Sequence, residues 1–225
     1  MPRMPYAYQM LRRCSSRLIS YTASMKRIGV LSGTFDPVHK GHIAFALLAI
    51  DKADLDMVYF APEVKPRRKP QVTHFAHRVA MLKLATRPYK QLGVLELPDR
   101  YFLARTTLPK LQQKFPGCQI HLLLGSDLFE HMPTWPNVEL MISKVGLVVG
   151  ARGTYEVSEA LVKLPSLPTQ PLEFHVLDSV ERQTSSASIR QQLIDGKSTD
   201  QIVPSVSKYA RDNWLYHDIS KAKKG

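Results

Sequence analysis

The run Ser32-Gly33-Thr34-Phe35-Asp36-Pro37-Val38-His39-Lys40-Gly41-His42 constrains this chain more than any other stretch. It follows Ile28-Gly29-Val30-Leu31, an apolar segment that reads as a buried strand. It precedes Ile43-Ala44-Phe45-Ala46-Leu47-Leu48-Ala49-Ile50, apolar enough for a packed helix. A strand, a tight glycine turn and a helix whose N-terminus faces that turn together make an anion site. The first N–H groups of a helix lack intrahelical partners, and the macrodipole favours negative charge beside them. His39 and His42 add charge-assisted hydrogen bonds suited to phosphate oxygens. The alternative is half of a zinc site, since His-x-x-His can ligate that metal. The local chemistry is that of phosphate.

Further apolar runs at 56–62, 93–97, 119–125, 145–150 and 173–177 each read as a strand. Helical patterns lie between them near 74–87, 103–115, 155–163 and 186–195, and the Pro-rich stretch 165–171 reads as a loop. Near-continuous apolar strands alternating with helices predict an α/β fold. The expected architecture is a Rossmann-like, doubly wound parallel sheet of about six strands flanked by helices. Ligands in such sheets bind beyond the carboxyl ends of the strands, where the strand order reverses. Residues 36–42 sit at such an end. With 225 residues and 44% hydrophobic content, the chain can bury one full core. Its apolar runs fall well short of a membrane span, so no membrane partner is expected. Cys14 and Cys118 are too few and too scattered for a disulfide framework, which points to a reducing compartment.

A net charge of +12 invites a nucleic-acid reading, but its distribution argues otherwise. Residues 1–27 hold six basic groups and no acid, and residues 221–225 hold three lysines and no acid, so the rest of the chain keeps only +3 of the +12. No nucleic-acid partner is expected. Residues 1–24 read as an appended basic segment, either an organelle transit peptide or the product of an upstream start with Met25 as the true initiator. The expected division is this segment, a catalytic domain over 25–216 and a basic tail over 217–225. Cytoplasmic localisation follows, with a mitochondrial or other organellar location as the alternative if 1–24 is a transit peptide. A homo-oligomer is compatible with the sequence, which does not specify one.

A second phosphate-suited cluster is Ser185-Ser186-Ala187-Ser188-Ile189-Arg190, which opens a helix continuing Gln191-Gln192-Leu193-Ile194. Serine before such a run is an N-cap signal, and Arg190 can grip a phosphate bidentately. The run from Gly33 to His42 matches Gly-Thr-Phe-Asp-Pro-x-His-x-Gly-His, and in it the chain resembles the HxGH nucleotidyltransferases. Within them it is most similar to the nicotinate (or nicotinamide) mononucleotide adenylyltransferases. Eight specified residues at average usage match by chance on the order of 10⁻¹⁰ times per start position. The segment 184–190 resembles the superfamily's second signature, Ile-Ser-Ser-Thr-x-Ile-Arg, with Thr184 in place of Ile and Ala187 in place of Thr.

Gly125-Ser126-Asp127 with the later Trp135 resembles the family's Gly-x-Asp and Trp. The resemblance puts Asp127 near ribose hydroxyls and stacks Trp135 on the pyridine ring, a cation with a π face for which Trp is the best partner. The alternative for Trp135 is a half-buried core aromatic. Residues 62–70, with Lys65, Arg67, Arg68 and Lys69, resemble the family's mobile basic loop and are candidates for neutralising triphosphate or pyrophosphate. Arg78, on the following helix, reads as an anchor for that loop. Where the family has Ser-Tyr-Thr-x-x-Thr-Leu in its pyridine-nucleotide pocket, this chain has Phe102-Leu103-Ala104-Arg105-Thr106-Thr107-Leu108, so only Thr107-Leu108 matches. Residues 203–210 resemble the family's closing helix.

The resemblance implies transfer of AMP from ATP to the 5′-phosphate of nicotinate mononucleotide, with ATP and that mononucleotide as partners and Mg²⁺ carried by ATP rather than by a protein metal site. It makes His39, His42 and Arg190 catalytic, with Lys40 near by. Gly33, Thr34, Phe35, Gly41, Ser185, Ser186 and Ile189 become ATP and phosphate contacts, and Asp127, Trp135 and Thr107 acceptor contacts. Nicotinamide mononucleotide, phosphopantetheine or another phosphorylated acceptor is the nearest alternative. A non-catalytic nucleotide- or RNA-binding protein is the alternative of another class, and it predicts loss of a signature histidine or of Arg190. All three are present.

Overall fold

A computed structural model describes residues 25–66, 71–99, 102–151, 155–178 and 184–217. Six strands form one sheet: β1 (Arg27–Gly33), β2 (Met57–Pro62), β3 (Leu92–Val94), β4 (Gln119–Gly125), β5 (Gly146–Ala151) and β6 (Phe174–Asp178). The helices in the first half are α1 (Lys40–Lys52), α2 (Phe75–Thr86) and α3 (Thr107–Lys114). They are followed by α4 (Ser126–His131), α5 (Val138–Ile142), α6 (Val157–Lys163), α7 (Ser186–Ile194) and α8 (Pro204–Asp212). All strand pairings are parallel, in the order β3-β2-β1-β4-β5-β6. This is the expected doubly wound Rossmann-like arrangement, and the order reverses between β1 and β4.

The alternation of side chains along each strand divides the core in two. Ile28 and Val30 of β1 join Ile120, Leu122 and Leu124 of β4 on the face covered by α3, α4 and α5. Leu31 and Leu123 point to the other face, with residues of α1, α2, α7 and α8. On that face α1 lies close to the sheet because β5 offers a glycine. A Cβ on Gly150 would come within 2.7 Å of the Phe45 ring.

Several expected boundaries shift. Helix α1 begins at Lys40, not at the apolar run from 43, so both signature histidines lie at its first turn. The strand expected over 93–97 is only Leu92–Val94. It lies at the sheet edge with β2 as its one neighbour. After a last bond from Leu95 N–H to the Phe60 carbonyl (2.8 Å) the chain leaves the sheet. Helix α3 begins at Thr107 rather than 103, because residues 103–107 close a turn of their own. Thr107 N–H reaches the Leu103 carbonyl (2.9 Å), and Leu103 N–H donates to Thr107 Oγ1 (3.0 Å). Helices α4 and α5 are too short to leave a periodic signal. The expected appended segment 1–24 lies outside the described residues, as does the 217–225 tail apart from His217.

At the amino ends of the strands, Glu173 gathers four neighbours. Arg27 donates to both carboxylate oxygens (2.8 and 2.5 Å), Gln119 Nε2 lies at 2.9 Å, His121 Nε2 at 3.2 Å and His175 Nε2 at 3.4 Å. The Arg27 hydrogen bond, ahead of the others, holds the Glu173 carboxyl well below the usual carboxylate range. His121 is buried, and burial pushes its pKa down. Both shifts act in one direction. An unfolded His121 takes up a proton below about pH 6.5, and an unfolded Glu173 below about pH 4.3, while the folded protein resists both. Stability is therefore full above about pH 6.5 and falls as pH drops, first through His121 and then through Glu173. The urea midpoint is expected to fall between about pH 7.5 and about pH 5.5, and His121→Gln to flatten most of that fall. An equally steep fall in the variant would remove His121 as the cause.

Candidate active site

Beyond the carboxyl end of β1 the chain enters the turn that carries the first signature. A Cβ on Gly33 would stand 3.0 Å from Phe35 Cζ, so the ring can fold back only over a glycine. Phe35 has a φ of 52° and a buried ring, which packs edge-on against Phe60 (centroids 5.5 Å) and against His42 (5.0 Å). It is a pedestal for that imidazole. The Asp36–Pro37 peptide is cis.

His39 is the N-cap of α1 and His42 its third residue, so the i, i+3 spacing puts them on one face. Their rings stack with centroids 3.6 Å apart, His39 buried and His42 half-buried. His39 N–H donates to His42 Nδ1 (3.3 Å), which leaves the proton of a neutral His42 ring on Nε2. The backbone of this helix end offers less than the sequence suggests. Lys40 N–H is bonded to the Gln201 carbonyl (2.8 Å), and the His42 and Ile43 N–H groups return to the His39 carbonyl (3.0 and 3.4 Å). Three N–H groups of this terminus, those of Lys40, His42 and Ile43, are thus already engaged.

Helix α7 closes onto the same turn from the far end of the sequence. Its N-cap Ser185 accepts Ser188 N–H (3.1 Å). Ser186 Oγ donates to the Pro37 carbonyl (2.9 Å) and Arg190 Nη1 to the Asp36 carbonyl (2.6 Å). Ile189 is wholly buried, its N–H bonded to the Ser185 carbonyl, so it anchors α7. The structure therefore brings His39, His42, Ser186 and Arg190 to one place. Arg190 uses one of its five donors in this bond.

Arg78 explains how the surrounding loops hold still. It is 1% exposed, and its guanidinium donates to four carbonyls: Thr34 (2.7 Å), Glu63 (2.8 Å), Val64 (3.2 Å) and Thr73 (2.9 Å). The anchoring expected of it is borne out, and it extends to the signature turn itself. Asp36 is also buried, with Thr73 N–H on Oδ2 (3.1 Å) and the Tyr216 hydroxyl on Oδ1 (2.6 Å). Sequence reasoning missed Tyr216. Its only signal is an aromatic beyond the last helix, which nothing local connects to residue 36.

The acceptor candidates spread over the neighbouring strand ends. A small cleft beyond β1, β2 and β3 is lined by residues that include Ser32, Glu63, Leu97, Asp99, Phe102 and Thr107. Thr107 is buried, its hydroxyl holding Leu103 N–H. Asp127 is exposed in the first turn of α4, directly after β4. Trp135 is half-buried and packs against the core on that face. Lys65 is exposed, and Arg67, Arg68 and Lys69 lie outside the described residues. Among the described residues no group of three His, Cys, Asp or Glu side chains could hold a metal ion, and no helix is long and apolar enough to cross a membrane.

The cytidylyltransferase-like family matches residues 30–192. The chain is 32% identical over 201 residues to the nicotinate-nucleotide adenylyltransferase of Bacillus subtilis, covering 85% of this chain and 99% of that protein. A probable nicotinate-nucleotide adenylyltransferase of Neisseria meningitidis is 30% identical over 199 residues, with the same coverage. The structure of Plasmodium falciparum nicotinic acid mononucleotide adenylyltransferase complexed with NaAD has a TM-score of 0.71 at 17% identity, covering 85% of this chain and 97% of that one. That likeness is one of fold. With the two signature segments converging on one turn, and similarity running the length of its relatives, this chain belongs to the nicotinate-nucleotide adenylyltransferases of the cytidylyltransferase-like family.

Proposed function

We propose that this nucleotidyltransferase moves AMP from ATP onto the 5′-phosphate of nicotinate mononucleotide, releasing pyrophosphate and forming the dinucleotide precursor of NAD. The observation that carries the reading is the stacked His39–His42 pair at the N-terminus of α1, beyond the point where strand order reverses. An oxygen of the acceptor phosphate attacks the α-phosphorus of ATP in line, the new P–O bond forms and the bond to pyrophosphate breaks. No covalent enzyme intermediate is needed. Positioning and charge stabilisation carry the catalysis.

In this reading His42 Nε2–H and His39 donate to triphosphate oxygens, with Lys40 beside them. Gly33, Thr34, Phe35 and Gly41 shape the turn against the nucleotide, Phe35 through its backbone while its ring supports His42. Arg190 reaches phosphate with the donors left after its bond to Asp36, and Ser185 and Ser186 order the start of α7. Magnesium enters with its substrate as MgATP, since such ions keep most of their waters and seldom need a protein cage. The basic loop of Lys65, Arg67, Arg68 and Lys69 is assigned the same role of neutralising phosphates.

Asp127 and Trp135, just beyond β4, are proposed for the ribose and pyridine of the acceptor, with Thr107 at the cleft wall. The names of the relatives support a nicotinate acceptor, as does the complex of the Plasmodium enzyme with NaAD. Phe102 gives the wall of the cleft an apolar side chain where the family pattern has a polar one, beside the acidic Glu63 and Asp99. Recognition of the pyridine carboxylate accordingly rests on backbone N–H groups. We also take 25–216 as the catalytic domain, supported by the family match beginning at residue 30. A cytoplasmic location is supported by the sparse, scattered cysteines.

His42→Ala is expected to lower kcat by at least about 10²-fold, as loss of one oxyanion donor does, with the melting temperature little changed. Near wild-type turnover would sink the assignment. Protein starting at Met25 is expected to release pyrophosphate from MgATP fastest with nicotinate mononucleotide, more slowly with nicotinamide mononucleotide and not with phosphopantetheine. Equal or faster release with phosphopantetheine would overturn the acceptor.

A further inference from the structure

After α8 the backbone doubles back. Trp214 and Tyr216 have φ of 52° and 60°, in the left-handed region that residues other than glycine rarely occupy. The Trp214 side chain is 80% exposed, so the turn does not serve to bury the indole. It instead delivers Leu215 and Tyr216 against the core beneath α1 and α2. Strain of this kind persists only where the surroundings over-determine it, and it collects at functional sites. Here its result is one contact across 180 residues of sequence, the Tyr216 hydroxyl donating to Asp36 Oδ1 at 2.6 Å.

Asp36 is the hub of the signature turn. Its other carboxylate oxygen accepts Thr73 N–H, and its carbonyl accepts Arg190. The next carbonyl, of Pro37, accepts Ser186. His39 follows three residues after Asp36, as the cap from which α1 presents both imidazoles. Burial, with the Asp36 carboxylate beside it, pushes the Tyr216 hydroxyl well above its ordinary range, so it stays a donor. Loss of that donor would leave one oxygen of a buried carboxylate short of a partner, and the turn would shift to find another.

We propose that Tyr216 is a positioning residue for adenylyl transfer, its hydroxyl fixing the Asp36 carboxylate and with it the turn that presents His39 and His42. The inference rests on the adenylyltransferase reading for its kinetic consequence, not for its structural one. Tyr209 supplies the contrast. It docks α8 through a 2.9 Å hydrogen bond from its hydroxyl to His77 of α2 rather than to the turn.

The test compares Tyr216→Phe and Tyr209→Phe in the full chain. Tyr216→Phe keeps the ring in its packing and removes only the hydroxyl. It is expected to lower kcat about tenfold, with KM for MgATP and for nicotinate mononucleotide within about twofold of wild type. Tyr209→Phe is expected to keep wild-type kcat. In the substrate-free protein, the ring-nitrogen NMR signals of His42 are expected to move in Tyr216→Phe and to stay in Tyr209→Phe. Wild-type kcat in Tyr216→Phe, a loss confined to KM, or an equal kcat loss in both variants would overturn the proposal. Unmoved His42 signals in Tyr216→Phe would overturn it even if the wild-type protein proved silent with nicotinate mononucleotide, an outcome that would instead count against the acceptor.

Discussion

A guanidinium with almost no exposure holds the ligand end of this molecule together. Arg78 donates to carbonyls of residues 34, 63, 64 and 73, which belong to the turn after β1 and to the connection between β2 and α2. Burial alone would depress its pKa, and the nearby Asp36 charge opposes that effect. The group remains a cation, as arginine does in proteins. Its planar fork spans acceptors on different segments, where the compact ammonium of lysine would reach only one neighbourhood. Without it, three stretches of irregular backbone would meet at the site with their carbonyls unsatisfied.

Around that centre the sheet separates two jobs. The carboxyl ends of the strands carry the signature turn, the cleft toward Phe102 and Thr107, and the loops bearing Asp127 and Trp135. The amino ends carry the Glu173 cluster with Arg27, Gln119, His121 and His175, far from the phosphate chemistry. The shifted pKa values of His121 and Glu173 lie at that end, and the signature histidines at the other. The parallel arrangement permits this division because every strand leaves the sheet on the same side.

The signature turn is held from both directions of the chain. Arg190 and Ser186 grip its carbonyls, and Tyr216 and Thr73 grip the Asp36 carboxylate. The residues that resemble the family's phosphate contacts in α7 thus also act on the backbone that displays the histidines. Preorganisation of this kind matters where catalysis rests on placed donors rather than on a covalent intermediate.

Much of this was legible in the residues alone. Each of the six apolar runs overlaps one of the six strands, most closely in the central β1, β4 and β5, because a strand covered on both faces must be apolar along its whole length. The Gly33–His42 run names its own chemistry, because glycine, N-cap and i, i+3 histidines are local features. Other features were not legible. Helices α4 and α5 are too brief to show a period, and the early start of α1 at Lys40 follows from His39 taking the cap rather than from hydrophobic pattern. That Ser186 and Arg190 would grip carbonyls, that Lys40 N–H would go to Gln201, and that Tyr216 would meet Asp36 could not be read from any window of sequence. The sequence by itself determined the layers of the fold and the signature turn, since both depend on spacings of a few residues. Only the tertiary structure decided which donors remain for a ligand. That depends on contacts between segments 44, 154 and 180 residues apart, which the folded sheet alone brings within hydrogen-bonding distance.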